Sequence, residues 1–269
     1  MTKFTRRTLI GFLLTGLLAL PGLASAGETL QRIIDFKVLR VGMSADQPPM
    51  TVKNRQGGVM GYDVDLAQAL AAAMRVQLDI KVMPFGDLLP ALEKGELDMV
   101  ISNMSITPER SERAYFSGPY VMSGKSILTS DTVLAGATDS NPLNSGDVKL
   151  AAVKNSTSAT FVTENIPEAE LVLVESSDAG VQMVLDGEVN ALLADMAVTK
   201  LAVLRHLGKG LVTLQAPLTL EPIGIAISRE DAQFQNLVDN YLDSYGKMGL
   251  LNKLRDKWFE NAEWITALP

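Results

Sequence analysis

The chain has 269 residues, with 24 Lys and Arg against 31 Asp and Glu, one His and no Cys, for a net charge of −7. This acidic balance suits neither nucleic acid nor an anionic membrane surface as a partner. The lack of Cys excludes disulfides, thiol catalysis and Cys-ligated metal, though not an oxidising compartment. Lys3, Arg6 and Arg7 precede the apolar run Leu9 to Leu20, which Pro21-Gly22 breaks ahead of Ala24-Ser25-Ala26. The run is too short to span a bilayer but right for an export signal. Residues 1–26 are therefore expected to be a signal peptide cleaved after Ala26, leaving a periplasmic protein that starts at Gly27. The Arg pair loosely resembles a twin-arginine signal, and an ordinary secretory signal is the reading adopted.

Gly27 to Phe36 reads as an opening helix or turn, and Val38 to Val41 as a first strand whose exit carries Ser44, Asp46 and Gln47. Lys53 to Gly58 is a polar, hairpin-like loop. Asp63 or Asp65 can cap a helix with Leu66, Ala69, Leu70 and Ala73 on its apolar face. Leu78 to Val82 alternates as a strand. Pro84 to Asp87 turns the chain into a helix over Leu88 to Lys94, closed by Gly95. This β-α-β-α-β order with short connections predicts a parallel sheet covered by helices.

The stretch Asp98 to Tyr120 organises the rest. Met99-Val100-Ile101 is short enough for a buried strand. Ser102, Asn103 and Ser105 form its polar exit, and Thr107-Pro108 is a helix start. Arg110, three residues on, sits where the helix dipole disfavours a cation unless an anion is shared with it. Strand C-terminal ends are where open α/β sheets bind ligands. The competing reading is a surface Arg paired with Glu109 or Glu112. Tyr120 to Lys125 reads as a crossing into a second lobe. Ser123-Gly124-Lys125-Ser126 contains the end of a phosphate-loop motif, but position 119 is Pro where that motif needs its first Gly, so a P-loop is rejected.

The second lobe repeats the pattern. Lys149 to Val153 is a strand whose exit, Lys154 to Ser158, leads into a helix near Ala159; Leu171 to Glu175 is a strand and Asp178 to Leu185 a helix. Gly95 to Ser102 parallels Gly187 to Ala194, a faint internal repeat that suggests two lobes of similar topology. Asp195 then stands at the strand end matching Ser102 and Asn103, opposite Arg110 across a cleft, unless it only caps the helix Met196 to His206. His206, in that helix's last turn, reads as structural. Ala216 to Pro222 is the return crossing, Ile223 to Ile227 a buried strand, and Phe234 to Tyr245 an amphipathic helix. A shorter helix carries Leu250, Leu254 and Trp258. The expected division is lobe one over 27–122 and 218–269, and lobe two over 123–217.

GYDVDLAQAL, KGELDMVISNMSITPERSERAYFSGPY, NALLAD and PIGIAI, in this order and spacing, resemble the family-3 extracellular solute-binding proteins, the amino-acid receptors of ABC importers. The resemblance covers nearly all of the chain after residue 26. It implies an α/β, two-lobe periplasmic-binding-protein fold with two hinge crossings, closing on a small amino acid or similar zwitterion for delivery to a membrane permease. No cofactor, no metal and a monomer are expected. Arg110 would clamp the ligand α-carboxylate, helped by Ser105, with Asn103 and Ser102 also at the amino-acid head. Asp195 would take the α-ammonium from the other lobe, with Thr157 and Ser158 adding hydrogen bonds. Lys154 falls where side-chain specificity is set, and Phe85 matches a wall of that pocket. Ser44 and Gln47 depart from the pattern, which commonly has an aspartate and an aromatic there. That puts basic-amino-acid specificity in doubt and makes, with Lys154, a polar pocket.

Two alternatives belong to other functional classes. The resemblance includes exported enzymes of the cyclohexadienyl dehydratase type, for which a cleft carboxylate could be a general acid; the sequence places no second carboxylate there. A binding module that signals to a membrane receptor has the same sequence features.

Overall fold

A computed structural model describes residues 27–261 and 263–268; the expected signal, residues 1–26, lies outside the described residues. The short apolar runs form the strands of two five-stranded sheets. The first has the order Gln77–Val82, Val38–Met43, Met99–Val100, Glu221–Ile227, Tyr115–Ser123. The second has the order Glu170–Val174, Lys149–Val153, Ala191–Asp195, Lys125–Thr129, Val212–Thr213. In each, the first three strands are parallel and the fourth is reversed against both neighbours. Each reversed strand begins where the chain has just crossed: Lys125–Thr129 on leaving the first sheet, Glu221–Ile227 on returning to it. The crossings thus deliver a charged residue, Lys125 and Glu221, to the start of a reversed strand.

The internal repeat has a structural counterpart. Gly95 and Gly187 both adopt left-handed φ, 70° and 71°, a conformation that Gly takes without a Cβ penalty at a helix end. The strands that follow are third in each sheet. Burying their apolar side chains is worth about 1.5–3 kcal/mol each; Met99, Val100, Leu192 and Leu193 are wholly buried. The first lobe's core packs Leu39, Leu66, Phe234 and Val238 around its sheet, and the second lobe's packs Ile127, Leu150, Val162 and Leu193. A third apolar cluster holds residues of both lobes, Phe85 and Leu88 with Leu128, Val153 and Val198. Among the described residues no helix is long and apolar enough to cross a membrane.

Several local expectations change. The cap of the helix Tyr62–Met74 is Gly61 at φ 145°, and neither Asp63 nor Asp65 caps it. Only Gly fits, because a Cβ there would lie 2.0 Å from the Met50 carbonyl oxygen. Asp63 is thereby turned inward and fully buried. The helix bearing Arg110, Pro108–Ser111, is a single turn capped by Thr107, whose Oγ1 accepts the Arg110 N–H at 3.2 Å. Asp195 occupies the N-cap position of Met196–Arg205, but its side chain makes no capping bond. At the C-terminal end, Trp264 packs on Trp258 with ring centroids 5.3 Å apart.

Candidate ligand-binding site

The two third strands end face to face. Beyond Met99–Val100 the chain turns at Asn103, in the left-handed region at φ 49°, which Asn tolerates better than most residues. Two bonds hold that turn: Asp63 Oδ2 accepts the Asn103 N–H at 2.7 Å, and Asp63 Oδ1 accepts the Tyr120 hydroxyl at 2.8 Å. Burial raises the Asp63 carboxyl to about 7, against the lowering effect of these two bonds. The Asn103 amide then donates to Gln47 Oε1 at 3.0 Å and to Asp195 Oδ2 of the opposite lobe. Asn103 and Asp195 hold matching places in the internal repeat, so the repeat brings its own equivalents together across the cleft.

Arg110 is 9% exposed and pairs with neither Glu109 nor Glu112, so the surface reading is set aside. Its guanidinium donates to the Ser105 carbonyl at 2.9 Å in its own lobe and to the Asn155 carbonyl at 3.1 Å in the other. It lies over the Phe85 ring, 5.5 Å from the centroid, a cation–π contact. Burial lowers its pKa to about 10, with the charges of Glu221 and Asp195 acting the other way. Among the described residues, two of the fork's five N–H groups have partners.

Two charged residues complete the cleft: Lys125, which the sequence offers only in a rejected phosphate-loop motif, and Glu221, which it does not single out. Lys125, 3% exposed, places its Nζ 2.5 Å from Asp195 Oδ1 and 3.2 Å from Glu221 Oε2. Glu221 also accepts hydroxyls from Ser105 at 2.6 Å, Thr157 at 2.8 Å and Thr219 at 3.1 Å. Burial pushes the Glu221 carboxyl up, but Lys125 and the hydroxyl bonds outweigh it and hold it below its ordinary value. The one available sequence signal was a Lys leading directly into an apolar strand.

Gln47, Phe85, Asn103, Ser105, Arg110, Thr157, Ser158 and Asp195 line, together with Lys125, one partly open cavity of about 30 Å³. A larger opening of about 420 Å³ adjoins it, lined by Phe85, Arg110, Asn155 and Thr157 among others. Ser102 and Ser44 lie behind it: the Ser102 hydroxyl accepts the Ser44 N–H at 2.9 Å, and Gln47 Nε2 donates to Ser44 Oγ at 3.2 Å. Lys154 stands outside; its side chain is half-exposed and lies 3.9 Å from Glu175. Of Ser44, Gln47 and Lys154, expected to share a polar pocket, only Gln47 lines this cavity. A further contact joins the lobes where the Ser177 N–H donates to Asp46 Oδ2 at 2.8 Å.

The sequence model of the family described as bacterial extracellular solute-binding proteins, family 3, matches residues 39–261. A cyclohexadienyl dehydratase of Pseudomonas aeruginosa is 27% identical, over 99% of both chains. An L-arginine-binding protein of the same species is 27% identical, over 93% of this chain and 95% of the relative. Among solved structures, an ancestral amino acid-binding protein described as a precursor of cyclohexadienyl dehydratase superposes with a TM-score of 0.78 at 34% identity, over 86% of this chain and 99% of its own.

Proposed function

The chain belongs to the bacterial extracellular solute-binding proteins of family 3, and from that premise we propose that it captures a small, amino-acid-sized carboxylate between its lobes and passes it to the permease of an ABC importer. One observation carries the reading. The buried Arg110 guanidinium lines the cavity, donates to a carbonyl from each lobe, Ser105 and Asn155, and among the described residues has no carboxylate partner. Arg110 and Ser105 belong to one lobe and Asp195, Thr157 and Ser158 to the other, so a solute that bridges them favours the closed arrangement, which gives hinge closure its differential affinity. Arg110 and Ser105 are assigned to the solute carboxylate, and Asn103, Asp195, Thr157 and Ser158 to its α-substituent. Gln47 and Phe85 are assigned to its side chain. The lobes are taken as 27–122 with 218–269 and 123–217, which keeps each five-stranded sheet in one lobe but for Ser123, the last residue of Tyr115–Ser123. Export after cleavage at Ala26 agrees with the extracellular character of the family.

A second reading, an exported enzyme of the dehydratase type, is favoured by the second cleft carboxylate, Glu221, and by the similarity to the Pseudomonas dehydratase. A general acid must hold its proton at working pH, whereas Lys125 and three hydroxyls favour ionised Glu221. Binding is therefore the reading adopted. The test is mass spectrometry of what denaturation releases from the purified mature protein, beside incubation with prephenate-like acids. A released small carboxylic acid and no turnover are expected; product formation would overturn the choice.

A further inference from the structure

We propose that the solute is a carboxylic acid with a neutral oxygen at its α-position, a 2-oxo or 2-hydroxy acid, rather than an amino acid with an α-ammonium. The inference rests on the solute-capture reading and narrows it. The carboxylate that would receive an ammonium already has a cation. Lys125 Nζ sits on Asp195 Oδ1 at 2.5 Å, and the Asn103 amide takes Oδ2. The backbone sets this arrangement, because Lys125 and Asp195 are directly opposed in the antiparallel pairing of Lys125–Thr129 with Ala191–Asp195. A slip in register would turn Ile127 and Leu193, both wholly buried, out of the core. The other cleft carboxylate, Glu221, is bonded to Lys125 and three hydroxyls. An incoming ammonium would have to settle beside the Lys125 ammonium.

What the cleft keeps in hand is donors. Among the described residues Arg110 has no carboxylate partner and donates only to backbone carbonyls. Lys125 has a third N–H beyond its two carboxylates. Both line the same cavity. A carboxylate on the Arg110 fork with an oxygen one carbon away on Lys125 uses both. The inference therefore rests on position, because the carboxylate that would take an ammonium is already held by Lys125 and Asn103.

The test titrates matched sets into mature protein freed of bound solute by unfolding and refolding: L-alanine, pyruvate and L-lactate; L-leucine, 4-methyl-2-oxopentanoate and its 2-hydroxy analogue; L-glutamate and 2-oxoglutarate. The oxygen-bearing acid of at least one set is expected to bind about tenfold or more tightly than its amino acid. The double variant Lys125→Gln, Glu221→Gln keeps the cluster's net charge, frees Asp195 for an ammonium, and is expected to reverse that order. An amino acid binding more tightly to the parent, or a ratio unchanged in a folded double variant, overturns the inference alone. If the variant does not fold, the order in the parent decides. Failure of every set to bind overturns the solute-capture reading and this inference with it.

Discussion

Lys125 and Asp195 face each other across an antiparallel strand pair, with the ammonium 2.5 Å from the carboxylate oxygen and both side chains almost wholly buried. One residue stands at a crossing between lobes and the other at the end of a central strand, so the charge balance of the cleft is built into the backbone pairing. Removing the cation alone leaves the buried Asp195 and the partly buried Glu221 without it. Lys125→Ala is therefore expected to destabilise the protein by about 3–5 kcal/mol. Adding Glu221→Gln should restore part of that. Urea unfolding of the parent and both variants measures it, and equal midpoints would remove the ion cluster from the account.

Asp63 should leave a signature in the pH dependence of stability. Its folded pKa is raised from 3.8 to about 7, chiefly by burial. Between these values the native state keeps a proton that the unfolded chain has lost, so this contribution is full below about pH 4 and is lost as pH rises through about 7. Its size is on the order of a few kcal/mol. The difference in stability between parent and Asp63→Asn should therefore move against the parent from pH 4 to 8. A difference that is flat with pH would contradict the buried, proton-retaining carboxyl.

Gln47 and Lys154 should behave differently. Gln47 lines the cavity and holds Asn103 Nδ2, while Lys154 is half-exposed and lies 3.9 Å from Glu175. Exposed pairs of this kind contribute about 0–1 kcal/mol. Gln47→Ala should reorder preference among solutes, and Lys154→Ala should leave the order unchanged. A competition assay on both variants checks this; a reordering by Lys154→Ala would bring that residue back to the site.

These residues show what the sequence made legible. The alternation of short apolar runs with helix signals, and the repeat starting at Gly95 and Gly187, were enough to expect two lobes of similar build. Arg110 stood out because a cation at a helix start is locally unfavourable without an anion. Lys125 and Glu221 gave no such signal. Their meaning depends on which strands pair antiparallel after each crossing, a non-local choice that no spacing encodes. Asp63 or Asp65 suits a cap by its position in the first turn, whereas Gly61, at φ 145°, holds the cap position and the Asp63 carboxylate turns inward. Lys154 was placed by resemblance alone, and at that strand exit the side chain points to solvent.

Export is tested directly at the N-terminus. The basic start, the 9–20 apolar run and Ala24-Ser25-Ala26 predict cleavage after Ala26. N-terminal sequencing of the protein from a periplasmic fraction should begin at Gly27, and an intact Met1 there would contradict it.

The central claim is that Arg110 receives the solute's carboxylate as the lobes close, and calorimetry on Arg110 variants tests it most directly. The titrant is the solute recovered by denaturing the parent protein and identified by mass spectrometry. Losing the guanidinium leaves a desolvated carboxylate unpaired and frees the Asn155 carbonyl across the cleft, a cost of about 3–5 kcal/mol. Arg110→Ala should therefore bind on the order of a hundredfold or more weakly. Arg110→Lys should be nearly as weak, since a point charge cannot reproduce the planar fork that reaches both lobes. A folded Arg110→Ala variant that binds the same solute as tightly as the parent would contradict the account, because the solute's carboxylate would then lie elsewhere.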